Sequence, residues 1–211
     1  MLDNITWFGH DSFKITGEIT VYTDPYKIKK ADAADLILIT HSHFDHCCPE
    51  DIAKVTGSNT VIVATRDCAA TLTGNVKTAA PGDKLTAAGI EIEAVAAYNT
   101  NKSFHPKTNG WVGYIFAFAG KRYYIAGDTD LIPEMKSMHD IYAALLPVSG
   151  TYVMTADEAA RAAIEIAPKY AVPMHYGAIV GSIKDAQRFA AEVKRLSGGA
   201  SNIETVILPQ H

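Results

Sequence analysis

The sequence predicts an α/β fold in which two β-sheets pack face to face with helices outside them. Three observations predict it. Short runs of β-branched and aromatic residues, NITWFGH, SFKITG and EITVYTD, crowd the first third of the chain. Two continuous apolar runs, LILIT and TVIVAT, have the length and composition of buried strands. The second half alternates strand-like and helix-like segments. A chain of 211 residues with 48% apolar content can fill a core of that kind as one domain over residues 1–211. It shows no internal repeat, low-complexity tract or linker.

Each element has its own justification. After LILIT comes PEDIAKV, where Pro49 suits a first helical position and Glu50 and Asp51 suit the positive end of a helix dipole. PGDKLTAAG reads as turn, short strand, turn, and IEIEAVAAY alternates as a half-exposed strand does. NTNKSFHPKTNG, residues 99–110, is a polar loop and a candidate lid. WVGYIFAFAGKRYYIAGDTD reads as a hairpin turning at Ala119-Gly120-Lys121. TADEAARAAIEIA opens with Thr155 and Glu158 at capping-box spacing. YAVPMHY is a strand ending in a histidine, SIKDAQRFAAEVKRL an amphipathic helix and ETVILP a last strand.

A net charge of −4 offers no basic footprint for nucleic acid. No apolar run approaches the roughly 20 residues of a membrane span, and the first residues carry no signal-peptide pattern. Three cysteines, two of them adjacent, do not form a disulfide framework. The expected location is the cytoplasm, and the expected partner is a small molecule, with neither nucleic acid nor membrane.

The chemistry concentrates in THSHFDHCCP. His41, His43 and Asp45 are two apart, so an extended segment points them the same way, while His46 sits where the chain turns toward the next helix. Four ligand-type residues exceed the three that a catalytic zinc usually takes from protein, and suit two metals. Further candidates follow apolar segments or lie in loops: His105, Asp128 and His175. Cys47 and Cys48 lack ligand spacing and read as small buried residues.

HSHFDH matches the H-x-H-x-D-H signature of the metallo-β-lactamase superfamily, and GDT at 127–129 and PMHYG match its later motifs in order. The chain resembles that superfamily over essentially its whole length. GHDSF and YTDP are similar to the subgroup containing L-ascorbate-6-phosphate lactonase. The resemblance implies a four-layer αββα sandwich with metals at one edge between the sheets. It implies His41 and His43 on a first divalent ion, Asp45, His46 and His175 on a second, and Asp128 bridging. The ions would be zinc first, with manganese, iron or nickel as alternatives. Where the family pattern wants one more histidine this chain has Asn99, and His105 comes six residues later. The expectation is that His105 completes the first site, with Asn99 or a water as the alternative.

Two such ions can share a hydroxide that attacks an ester, lactone, amide or phosphoester, with Asp45 and Asp128 as the catalytic carboxylates. Asp24 is expected to hold a ligand histidine from behind, and His10 to lie at the rim. Lys102, Lys107, Tyr98 and Tyr176 flank the ligands and are candidates to meet an anionic substrate, a sugar-phosphate lactone or phosphoester among them. Three rivals are a nuclease, which needs a basic clamp; a flavo-diiron protein, which needs a glutamate in place of His43 and a flavin domain; and a non-catalytic metal-binding protein.

Overall fold

The computed structural model describes residues 2–29, 31–198 and 202–211. The first sheet holds β1 (Ile5–Gly9), β2 (Ser12–Thr16), β3 (Thr20–Thr23), β4 (Ala34–Ile39), β5 (Thr56–Ala64) and β6 (Asn75–Thr78), in that order. The second holds β7 (Lys84–Ala87), β8 (Ile90–Ala96), β9 (Val112–Phe118), β10 (Lys121–Ile125), β11 (Ile141–Pro147), β12 (Tyr170–Met174) and β13 (Glu204–Thr205), again in chain order. Each sheet begins as an antiparallel meander and becomes parallel from its third pairing in the first sheet and its fourth in the second.

Parallel pairing demands crossovers; the chain supplies those from β3 to β4 and from β10 to β11 without an α-helix, and the others as α-helices. α1 (Pro49–Val55) joins β4 to β5, and α2 (Arg66–Ala69) joins β5 to β6. α3 (Ala156–Ile166) joins β11 to β12, and α4 (Ile183–Leu196) follows β12. α3 carries the full capping box between Thr155 and Glu158 that its sequence predicts. The run in β4 is apolar on both faces because both are covered. Leu36 and Leu38 enter the main core with Phe13, Tyr114 and Phe116. Ile37 and Ile39 point the other way, onto Ile52 and Val55 of α1 and Cys68 of α2. The result is the four-layer αββα sandwich.

The sheets are drawn together at one edge. Tyr114 of β9 donates from its hydroxyl to the Ile39 carbonyl at 2.8 Å, and the Val112 amide donates to the Thr40 carbonyl at 3.2 Å. Within the second sheet, Gly113 lets β9 lie close against the end of β10, since a Cβ there would lie 2.6 Å from the carbonyl oxygens of Ile125 and Ala126.

Three elements differ from the sequence reading. The β9–β10 turn is the two residues Ala119 and Gly120, both at positive φ (48° and 71°), with Lys121 already in the strand opposite Phe118. That is the twist-compatible geometry of a tight hairpin. The last strand is only Glu204–Thr205 rather than all of ETVILP. The Ala171 carbonyl accepts from the Val206 amide, so Pro173, two residues on, faces the same neighbour and has no N–H to extend the ladder. The buried strand IYAALLP, which the sequence reading did not single out, forms β11 in the middle of the second sheet.

Candidate metal centre

The candidate ligands lie at the drawn-together edge, past the C-terminal ends of strands, where open α/β sheets hold their ligands. β4 delivers His41, His43 and His46; β10 delivers Asp128; β12 delivers His175; and the β1–β2 turn delivers His10. His10, Asp24 and His175 adopt positive φ (53°, 38° and 60°), a conformation that costs non-glycine residues energy and collects at functional sites. The Gly127 φ of 62° lets the Asp128 loop close on Thr40, whose Cβ a Cβ at Gly127 would meet at 3.0 Å.

Asp128 is the hub. Its Oδ2 lies 3.0 Å from His105 Nε2, 3.2 Å from His175 Nε2 and 3.9 Å from His41 Nε2. Its Oδ1 lies 3.5 Å from His46 Nε2. Around it, ligand atoms of His41, His43, His105 and Asp128 fall within 4.8 Å of one another, as do those of His10, His46 and His175. Asp45 lies beside the second group, with Oδ2 2.9 Å from His10 Nε2 and 3.8 Å from His46 Nε2.

The opposite ring nitrogens are braced from behind. Thr40 gives its single hydroxyl proton to Asp24 Oδ2 at 2.6 Å, so its oxygen accepts from His41 Nδ1 at 2.9 Å. The same Asp24 oxygen accepts from His46 Nδ1 at 2.8 Å. The Asn99 Oδ1 accepts from both the amide and the Nδ1 of His105, at 2.9 and 3.1 Å. His175 Nδ1 lies 2.8 Å from the Ser149 hydroxyl. These partners set the tautomers of His41, His46 and His105 so that Nε2, the acceptor nitrogen, faces the interior.

Buried polar atoms without hydrogen-bond partners are rare in proteins and demand a reason. Here they include His46 Nε2, His105 Nε2, Asp128 Oδ1, and both oxygens of Asp11. Imidazole and carboxylate donors converging on an interior with orphaned lone pairs fit divalent ions of borderline softness.

Electrostatics agree with that fit. Burial holds His41 well below its ordinary pKa, and His10 down to about 4. Burial also opposes charging of His46, yet the carboxylates of Asp128, Asp24 and Asp11 outweigh it and raise that ring well above its usual value. Burial alone would raise Asp128, but the charges on His175 and His46 and hydrogen bonds from His105 and His175 hold it well below the usual carboxylate range. A cation held here would be faced by the Asp128 carboxylate and would bind His46 only through a deprotonated Nε2, so its binding would be favoured by rising pH.

With this geometry established, similarity to known proteins decides the family. A family model described as "Beta-lactamase superfamily domain" matches residues 4–175. The chain belongs to that superfamily. A UPF0173 metal-dependent hydrolase of Methanopyrus kandleri is 33% identical over 97% of this chain and 96% of its own, and one from Thermococcus onnurineus is 32% identical over 94% of each. The crystal structure of a protein from Parabacteroides distasonis superposes with a TM-score of 0.84 at 37% identity, covering 98% of this chain and 93% of that one. Igni18, described as a novel metallo hydrolase of Ignicoccus hospitalis, gives 0.77 at 25% identity over 98% and 95%. At more than 30% identity over nearly their whole length, the Methanopyrus and Thermococcus relatives place the chain in the family named UPF0173 metal-dependent hydrolases.

Several residues of this superfamily chain lie elsewhere than the sequence reading placed them. His10 is not at a rim; it is fully buried, with its ring 4.0 Å from that of His175. Asn99 is not turned to the cluster as a ligand would be; it spans His105, the Asp130 carboxylate and the Tyr152 carbonyl. Lys102 is paired with the buried Asp130, and Lys107 with Glu134 and the Tyr98 hydroxyl. Neither lysine is a spare cation for an anionic substrate. Tyr176 is buried against Trp7 with ring centroids 4.8 Å apart, and burial pushes its hydroxyl up to about 12. The loop 99–110 is tied at its start, because the Thr100 and Asn101 amides also bond Asp130. As a lid it would have to break those bonds.

Four residues escaped the sequence reading. Trp111 walls the first group, with its ring 4.9 Å from His41 and 4.8 Å from His43, and its indole N–H is bonded to Asp67 at 2.8 Å. Asp130 anchors the ligand loop; it stands two residues after Asp128 in GDTD, a signal that was visible. Asp11 stands in GHDSF, a stretch already singled out for its resemblance, and Ser149 had no signal. Cys47 is buried near Cys68, and neither joins a ligand group.

Proposed function

We propose that the chain is a hydrolase that works with two divalent ions, zinc foremost, on an ester, lactone, amide or phosphoester. The observation that carries the reading is the Asp128 carboxylate, approached by four imidazoles through both of its oxygens. His41, His43 and His105 would hold one ion and His46 and His175 the other, with Asp45 at its side and Asp128 between. Ions so held supply an acidified water at neutral pH and polarise the scissile carbonyl or phosphoryl oxygen.

The chain's own residues do the rest. Asp128, kept ionised, fixes the spacing of the two histidine groups. His10 fixes one oxygen of Asp45, which leaves the other to orient the attacking water and take up its proton. Asp24 and Thr40 lock His41 and His46 against rotation, the support on which ligand geometry depends. Trp111 excludes water from one side of the first group. Three free thiols, Cys47, Cys48 and Cys68, favour the reducing interior of the cell as the working compartment.

The test is turnover of acyl esters, lactones, amides and phosphodiesters by metal-loaded protein before and after chelation. The reading expects hydrolysis of at least one class, lost with the metal and restored by re-adding it. Metal binding without turnover of any class would make the chain a non-catalytic metal-binding protein. Turnover confined to nucleic acid would make it a nuclease.

A further inference from the structure

Water-exposed aromatic and aliphatic side chains scattered singly over a surface need no explanation. Here they are not scattered. Among the described residues five large apolar side chains are exposed: Phe44, Phe104, Ile179, Ile183 and Leu196. Phe44 is the residue between His43 and Asp45 and is 69% exposed; Phe104 precedes His105 and is 46% exposed; Ile179 follows His175 by four and is 40% exposed. Three of the five therefore ride on the segments that carry the ligand cluster.

Each phenylalanine has an aromatic companion. The Phe44 ring meets that of Tyr26 edge-on at 6.0 Å, and the Phe104 ring meets that of Tyr152 at 4.8 Å. The rings of His43 and His105, each one residue away from these phenylalanines, are themselves 4.9 Å apart. The third segment, Gly177-Ala178-Ile179-Val180-Gly181, holds no polar side chain, although its first three residues and its last are exposed. Loops on a surface are ordinarily polar. These side chains add little to folding where they stand, because they are not buried.

The charges nearby point the same way. The lysines of loop 99–110 are used up, Lys102 on the buried Asp130 and Lys107 on Glu134. Lys27 lies over the Tyr26 ring, 5.1 Å from its centroid. A phosphorylated or carboxylated substrate would find no spare cation on the ligand loop, whereas an apolar group would find three apolar segments beside the bond to be broken.

We infer that the substrate is an uncharged ester or lactone bearing an apolar acyl or aryl group, which Phe44, Phe104 and Ile179 hold at the mouth of the metal centre. The inference rests on the hydrolase reading and deepens it.

The experiment uses the metal-loaded full chain and neutral p-nitrophenyl esters from acetate through butyrate to hexanoate. A terminally carboxylated ester of matched length and bis(p-nitrophenyl) phosphate complete the set. The value of kcat/KM should rise about two- to four-fold per added methylene, as expected for transfer of that group from water to a largely apolar contact. The carboxylated ester should fall well below its neutral match. Phe44→Ser, Phe104→Ser and Ile179→Ser should each lower the ratio of hexanoate to acetate kcat/KM while metal content, read by elemental analysis, stays at the wild-type value. Because Phe44 stands between two candidate ligands, the Phe104 and Ile179 variants carry the comparison if Phe44→Ser loses metal. A flat chain-length series, or preference for the carboxylated ester or the phosphodiester, overturns the inference and leaves the hydrolase reading intact. No turnover of any of these by fully loaded protein counts against both. Self-association of the wild type that the serine variants abolish, with no change in the chain-length ratio, overturns the inference in favour of a second copy of the chain on this surface.

Discussion

His105 shows how a candidate ligand can be displaced along the chain and still reach the cluster. Asn99 stands where the resemblance implies a histidine, and the structure uses both residues: the Asn99 side-chain oxygen accepts from the His105 backbone and ring N–H groups, and the Asn99 backbone N–H donates to the His105 carbonyl. The loop between them returns on itself, so six residues of sequence become a ring held in one orientation. Removing the imidazole removes a donor; removing Asn99 removes only its support. We expect Asn99→Ala to weaken the first ion by about 10- to 100-fold, the usual range for such supports, and His105→Ala to weaken it more. Calorimetric titration of metal-stripped protein checks the order. The reverse order would put Asn99, not His105, at the metal. The sequence reading prefers His105 and keeps Asn99 or a water as the alternative; it has no local signal for the loop closure on which that choice depends. The same holds for His10: its burial follows from the turn between β1 and β2 folding under His175, whose amide donates to the His10 carbonyl at 3.1 Å.

At the scale of elements, the centre exists because β4, β9 and β10 converge. Gly113 lies where the β9 backbone passes closest to the end of β10, and Gly127 lies where the Asp128 loop meets Thr40. A methyl group at Gly113 has backbone, not flexible side chain, in its way, so a strand must move. We expect Gly113→Ala to destabilise the protein by about 1–3 kcal/mol, the usual cost of overpacking, and to lower metal affinity as Thr40 and Asp128 separate. Urea denaturation with a metal titration on the same variant reads both effects; unchanged values for both would show that β9 and β10 need not approach so closely. Much at this scale was legible. The both-sided apolar run of β4, the capping box of α3 and the hairpin of β9 and β10 each carry a local chemical signature. β11 was not singled out because its small residues, Ala143 and Ala144, are shaped by what packs on them rather than by a local pattern. The shortening of β13 follows from Pro173 in the neighbouring strand, a long-range effect.

At the scale of the whole molecule, two sheets of 6 and 7 strands meet at one edge, and that edge gathers metal-capable side chains from residues as far apart as His10 and His175. Sequence could list most of them because metal-ligating residue types at strand ends are few and the H-x-H-x-D-H run is distinctive. It could not show Trp111 as a wall or the two loop lysines as already paired, since those are facts of packing and of partners distant in sequence. The central claim is that this edge holds two ions about a shared Asp128. Elemental analysis of protein purified without chelator, after loading and removal of excess metal, tests it most directly. The account predicts about two divalent ions per chain in the wild type and a clear loss in Asp128→Ala whose far-ultraviolet circular dichroism is unchanged. A wild-type stoichiometry near zero or one after loading, or an Asp128→Ala variant with the wild-type metal content, would contradict it.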